Sequence, residues 1–283
     1  MTPNLESRIC DRVLEPLNGA VGPQFIQERY TMNEMHEANR KGWDAVSPRW
    51  QKGIDEKKDW RKFPSDPTLA FSPSELKYVE KTKGCDVCVL GSGDNLAVFA
   101  LAGLGARVTS VDISQTQLDI AAHRAEKLGL DITFVRADVT DLRDLSDESF
   151  DLVYTGGHVG VWVSDLQKYY AEAGRILRKR GLFIVREYHP FRRLWADNPD
   201  RLELEFGYFN LGPHQYDRSH EAPEKGPLPS FEFHWTVADY VTAVLETGIH
   251  LIQITEDGDR SKEWEAAPLA GLPINLMLVG RKH

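Results

Sequence analysis

Residues 89–95 read VLGSGDN, between an apolar run at 85–88 (CDVC) and the stretch 96–114 (LAVFALAGLGARVTSVDIS). A short β-branched run that ends in two glycines and passes into helix formers is a strand, a tight turn and a helix. Gly105 is suited to the C-terminal end of that helix. The same alternation continues downstream. Residues 106–114 are a second strand ending in Asp112, and Ser114 caps a helix in which Leu118, Ala121, Ala122, Ala125 and Leu128 recur at helical spacing. DITFVRADV (131–139) reads as a third strand and FDLVYTGG (150–157) as a fourth. Ser164 and Gln167 form an expected capping box ahead of a helix spanning LQKYYAEAGRILRKRG, and LFIVREY (182–188) is the fifth strand. Thr236 caps a helix over VADYVTAVLETG, and IHLIQITE and INLMLVGRK complete seven strands. Strands alternating with helices predict an α/β fold, a doubly wound, Rossmann-like sheet with ligands beyond the carboxyl ends of its strands.

The glycine turn becomes specific through its acidic partner. Gly91 and Gly93 let the backbone approach a ligand, and Asp112, at the end of the second strand and 21 positions after Gly91, suits a ribose hydroxyl acceptor. A dinucleotide fingerprint needs a small residue at 96, where this chain has Leu96, and Asp94 beside the helix N-terminus repels a diphosphate. The turn suits an adenosine cofactor without phosphates. An NAD(P)-dependent oxidoreductase and a non-catalytic adenosine-cofactor-binding protein are the competing readings.

From residue 85 to about 190, the order VLGSGDN, VTSVDIS, FVRADVTDL, FDLVYTGGHVGVW and AEAGRILRKRGLFIVREYHPF resembles the class I S-adenosylmethionine-dependent methyltransferases. The resemblance extends through REYHPF and FHWTVADYVTAVLETG to a small-molecule branch. It implies S-adenosyl-L-methionine as cofactor, with S-adenosyl-L-homocysteine as product. It also implies a strand order of 3-2-1-4-5-7-6 with the last strand antiparallel. Gly91 and Gly93 then face the methionyl part, Asp112 the ribose, and Asp138, with the Val139 amide, the adenine. Thr155, Gly156, Gly157 and His158 border the sulfonium. Ser92, Asn95, Ile113 and Gln117 complete the expected cofactor contacts. Val89 stands where many members carry an acid, and Asn95 replaces a third glycine.

Methyl transfer asks little of side chains beyond alignment and, for a protonated acceptor, a base. His189, His158 and His234 are the candidates in that order, against the commoner role of histidine as a structural hydrogen-bonder. Glu187 is a candidate anchor for an acceptor amine or hydroxyl. Tyr30 and Tyr154 are weaker candidates, since aromatic residues more often fill cores.

The remaining composition bounds partners and place. A formal net charge of −9 opposes a nucleic-acid partner, as does TGGH after the fourth strand, where base-methylating enzymes carry an Asn/Asp-Pro-Pro-aromatic tetrad. A small-molecule acceptor fits better. No stretch approaches the roughly 20 apolar residues of a membrane helix, and the start lacks a signal-peptide pattern, so a cytoplasmic location with no membrane partner is expected. Cys85 and Cys88 fall on a strand, three apart and thus on opposite faces, and read as core residues rather than metal ligands; no metal is expected.

The expected organisation is an N-terminal helical lid at 1–66, a core at 67–189 and 236–283, and a cap insertion at 190–235. Trp43 and Trp50, seven apart, would share one helix face. The two outer segments would exclude water and shape the acceptor pocket. The alternative is that they complete the core or join two copies in a homodimer.

Overall fold

The computed structural model describes residues 32–57, 59–91, 93, 95–156, 158–258 and 267–283. The chain opens with α1 (Met32–Lys57) and α2 (Pro73–Val79), then alternates β1 (Asp86–Leu90), α3 (Leu96–Gly103), β2 (Arg107–Asp112), α4 (Gln115–Leu128) and β3 (Ile132–Arg136). It continues through β4 (Phe150–Thr155), α5 (Leu166–Ile176) and β5 (Leu177–Tyr188). A hairpin of β6 (His214–Asp217) and β7 (Pro229–Glu232) precedes α6 (Val237–Glu246), β8 (Ile249–Asp257) and β9 (Asn275–Lys282). The main sheet has seven strands in the order β3-β2-β1-β4-β5-β9-β8, with β9 antiparallel to both of its neighbours. That is the expected order once the hairpin is set apart.

Period-two alternation builds both faces of the sheet. Val87 and Val89 pack with Phe99, Leu101, Leu152 and Ile184 on the side of α2 and α3, while Cys88 and Leu90 pack with Val153, Phe183, Tyr170 and Ala243 on the side of α5 and α6. Cys88 is fully buried; Cys85 precedes β1, is only partly buried, and packs on the opposite face from Cys88. Ser114 caps α4 as expected, its Oγ accepting from the Gln117 amide at 3.2 Å. Thr236 and Asp239 form a reciprocal capping box at the start of α6.

Two local expectations are corrected. The N-cap of α5 is Asp165, whose carboxylate accepts from the Lys168 amide at 2.9 Å, while Ser164 turns to His36 instead. An aspartate is as good a cap as serine, and here serine has a tertiary partner. Helix α5 also stops at Ile176, and the LRKRG segment joins β5. Leu177 is fully buried opposite Phe150, and the register then shifts before Leu152 meets Leu182. Arg180 at φ 65° and Gly181 absorb this irregularity, and Arg178 reaches Asp86 and Asp151, both at 2.9 Å. Burial of one leucine thus outweighs the helix preference of Arg-Lys-Arg.

No helix among the described residues is long and apolar enough to cross a membrane.

Candidate functional site

The loops after β1 and β4 meet backbone to backbone. Gly91 has φ +82°, and a Cβ there would lie 2.1 Å from Val159 Cγ2 and 2.7 Å from the Gly156 carbonyl oxygen. A Cβ on Gly156 would reach the Gly91 oxygen at 2.6 Å. Both positions therefore require glycine, and together they floor a cleft of about 690 Å³. Gly93, Asp112, Ile113, Gln117 and Val139 line the same cleft, so seven of the expected cofactor residues converge there. Asp112 is oriented by its own loop, its Oδ1 accepting from the Ser114 amide at 2.8 Å.

The other expected residues stand around the cleft. Asn95, at φ 67° before α3, is fully buried, and neither atom of its amide has a hydrogen-bond partner within the protein. Thr155 is tied across the sheet to Arg186, whose amide donates to Thr155 Oγ1 at 2.7 Å. Asp138 is taken up by the protein. Its Oδ1 accepts from the Thr140 amide and hydroxyl, both at 2.9 Å, and its Oδ2 lies 2.6 Å from His36 Nδ1. Burial works to raise the Asp138 carboxyl, but the His36 and Thr140 contacts outweigh it and leave it below its ordinary value. Ser92, Asp94, Gly157 and Tyr30 lie outside the described residues, as does the 1–31 part of the expected lid.

Helix α1 lines the cleft and bonds to the loops that follow β1, β2, β3 and β4. Gln51 Nε2 donates to the Gly93 oxygen at 3.1 Å and to Gln117 Oε1 at 2.7 Å. Asp44 Oδ1 accepts from Ser114 Oγ at 2.7 Å. The Ser164 amide donates to His36 Nε2 at 3.0 Å, which assigns the imidazole hydrogen to Nδ1, facing Asp138. Asn39 Nδ2 donates to the Trp162 oxygen at 3.1 Å. His36, Asn39, Asp44 and Gln51 were not among the expected site residues. The signal for His36 and Asn39 was available, since 36, 39, 43, 47 and 50 follow one helical face, and Trp43 and Trp50 do meet edge to face at 5.6 Å; Asp44 and Gln51 each lie one position beyond that face.

A second, wider cavity of about 2080 Å³ adjoins the cleft, and Trp43, Trp50 and Trp162 line both. His158 lines this second cavity. Its φ is 58°, and its ring stacks on Tyr188 at 3.5 Å between centroids, while the Arg192 guanidinium sits 3.9 Å from the Tyr188 ring. His234 lines the cavity too, buried beside Glu232.

His189 is placed elsewhere. Its Nδ1 accepts from the Phe191 amide at 3.2 Å, its Nε2 lies 2.8 Å from Glu256, and its side chain is 1% exposed. Burial lowers its imidazole despite the neighbouring Glu256. Both ring nitrogens are committed to holding the turn after β5. Tyr154 is likewise a core residue, its hydroxyl donating to Glu75 at 2.8 Å.

Glu187 lies fully buried behind the β4 loop, against a small cavity of about 280 Å³, and its Oε1 accepts from the Gly160 amide at 3.0 Å. Burial pushes its carboxyl up to about 8. The native state therefore holds this proton between the ordinary carboxyl range and pH 8, while the unfolded chain does not, so stability falls as pH rises through that window. We expect a loss of about 1 kcal/mol between pH 6.5 and 7.5, measured by urea unfolding. Glu187→Gln should flatten that slope; an unchanged slope would show that other groups cause it.

Residues 88–185, from within β1 to within β5, match the model of a family described as "Methyltransferase domain". The chain is 30% identical over 161 residues to the uncharacterized methyltransferase YbaJ of Bacillus subtilis, an alignment covering 54% of this chain and 62% of that protein. It is 25% identical over 200 residues to a ubiquinone biosynthesis O-methyltransferase of Coxiella burnetii, covering 70% and 82%. Among solved structures, an S-adenosylmethionine-dependent methyltransferase of Mesorhizobium loti superposes with a TM-score of 0.55 at 22% identity, covering 75% of this chain and 99% of its own, and shows the same fold. Residues 88–185 thus carry a methyltransferase domain, on the fold of the S-adenosylmethionine-dependent methyltransferases.

Proposed function

We propose that the chain methylates an oxygen, nitrogen or sulfur atom of a small molecule, with the cofactor in the 690 Å³ cleft and the acceptor in the cavity beside it. The observation that carries this reading is the shared wall of Trp43, Trp50 and Trp162, which sets two differently shaped spaces side by side. S-adenosylmethionine, when bound, supplies a methyl group on a good leaving group, so the chain's own task is alignment and exclusion of water. Asp112 would accept from the ribose hydroxyls, and Ile113 and Val139 would flank the adenine. Asp138 would act on the adenine amine through the edge of its carboxylate or, with both oxygens engaged, by fixing the loop that carries Val139. The paired glycines would leave room for the reacting end, with Asn95 offering an amide to its polar groups.

His158 is the base that this reading favours, because it faces the acceptor cavity and is one position removed from a residue lining the cofactor loop pair. It would take the acceptor's proton on a ring nitrogen. His189 and Glu187 would support the loop architecture instead, since their polar atoms hold backbone amides. Helix α1 and the 190–235 insertion would act as lid and cap, completing the core described by 67–189 and 236–283. The Coxiella relative's name supports a small-molecule acceptor. Incubation with methyl-labelled S-adenosylmethionine and fractionated metabolites should release S-adenosylhomocysteine with label in a small molecule. Cofactor binding with no turnover on any fraction would instead favour a binding protein, and NADH binding in its place an oxidoreductase.

A further inference from the structure

The wider cavity leaves two deeply buried polar side chains with nitrogen atoms that the protein itself does not satisfy. Arg218 is 9% exposed and grips Glu221 through Nε at 2.6 Å and Nη2 at 3.1 Å, while its Nη1 has no hydrogen-bond partner. His234 is 6% exposed, and neither ring nitrogen is hydrogen-bonded; its Nε2 stands 3.6 Å from Glu232, beyond hydrogen-bond reach. Both residues line the cavity. A buried donor without an acceptor costs stability, and such groups persist where a ligand completes them. In either tautomer His234 has one ring N–H to donate, and the Arg218 guanidinium can only donate.

The surroundings restrict what these donors take. The guanidinium carbon of Arg218 lies 4.3 Å from the Trp43 ring centroid and 5.6 Å from that of Trp162, the wall shared with the cofactor cleft. Tyr188 and Phe206 line other sides of the same cavity. Flat aromatic walls favour a planar ligand. The carboxylates of Glu221 and Glu232 each partner an arginine, Glu232 lying 3.3 Å from Arg193, and Asp197, Glu203, Glu205 and Asp217 also line the cavity, so a multiply charged phosphate is disfavoured more strongly than a single carboxylate held by Arg218.

Building on the acceptor-cavity reading above, we infer that the acceptor is a planar aromatic compound bearing one carboxylate, whose oxygens take hydrogen bonds from Arg218 Nη1 and His234. The ring then rests on the tryptophan wall, which carries its nucleophilic substituent toward the cofactor cleft. A cationic amine would instead meet the Arg218 guanidinium, which repels it and cannot accept from it.

The test uses the full chain saturated with S-adenosylhomocysteine and titrated calorimetrically with 3,4-dihydroxybenzoate and, separately, with 3,4-dihydroxybenzamide. Charge-assisted hydrogen bonds predict at least about 10-fold tighter binding of the acid. Arg218→Gln should bring the two ligands to within about 3-fold, and Arg218→Lys should restore part of the preference. Should Arg218→Gln not fold, the acid-to-amide ratio of the unaltered protein still decides, with His234→Gln as the second variant. An amide that binds as tightly as the acid, or an acid that does not bind, overturns the inference. Prior titration with S-adenosylhomocysteine alone separates the two levels: failure there rejects the methyltransferase reading, whereas normal cofactor binding without acid preference rejects only this one.

Discussion

His158→Asn and His158→Ala are each expected to slow methyl transfer about 100-fold while leaving S-adenosylhomocysteine affinity nearly unchanged, the scale of loss for a general base. The backbone at this position has φ 58°, a region that asparagine enters readily and alanine does not, so the asparagine variant removes the base with less strain on the loop. The imidazole is held by stacking on Tyr188, whose ring also lies 3.9 Å from the Arg192 guanidinium, and this fixes its plane at the edge of the acceptor cavity. Asparagine keeps a planar polar group there but cannot take up a proton near neutral pH. Single-turnover rates across pH, once an acceptor is in hand, should show the acidic limb of the wild-type profile vanish in both variants. Equal rates in wild type and His158→Asn would assign the histidine to packing and leave catalysis to alignment alone.

Asp112→Ala should weaken S-adenosylhomocysteine binding by about 2 kcal/mol, close to 30-fold, from the loss of charge-assisted hydrogen bonds to the ribose. The carboxylate lines the cleft, and the Ser114 amide at 2.8 Å sets its orientation before any ligand arrives. Little of that orientation depends on the rest of the core, because Asp112 is the last residue of β2 and its side chain is only partly buried. The variant should therefore unfold at nearly the wild-type urea midpoint, which separates a binding defect from a folding one. Calorimetry that returns the wild-type affinity for a folded Asp112→Ala protein would remove this residue from the cofactor site.

The strands and most of the helices were legible because their signals are local, while the order of the strands followed from the family resemblance. Val87, Cys88, Val89 and Leu90 alternate between two buried faces, and no partner further away is needed to read that pattern. Ser114 and Thr236 cap their helices through amides three residues on. The glycine turn and Asp112 were likewise readable, since both depend on where a strand ends. Position 164 was misjudged for the opposite reason: a serine there is a plausible cap until His36, 128 positions away, takes its hydroxyl. The length of β5 turned on the same kind of fact, the burial of Leu177 against Phe150 on a neighbouring strand.

By itself, then, the sequence determined what propensity, periodicity and spacing within some 20 residues can specify: the strands, most of the caps and the acid that ends β2; the antiparallel closing strand came from the family resemblance. Tertiary structure alone decided the placement of the histidines. His189 and His158 both follow strands at the same edge of the sheet, yet one turns inward to Glu256 and the Phe191 amide while the other, at positive φ, stacks on Tyr188 over a cavity. Nothing within a few residues of either encodes that difference. The walls of that cavity come from α1, the β4 loop and the 188–234 segment, and α1 meets the other two only when burial of aromatic rings repays the entropy of closing loops more than a hundred residues long.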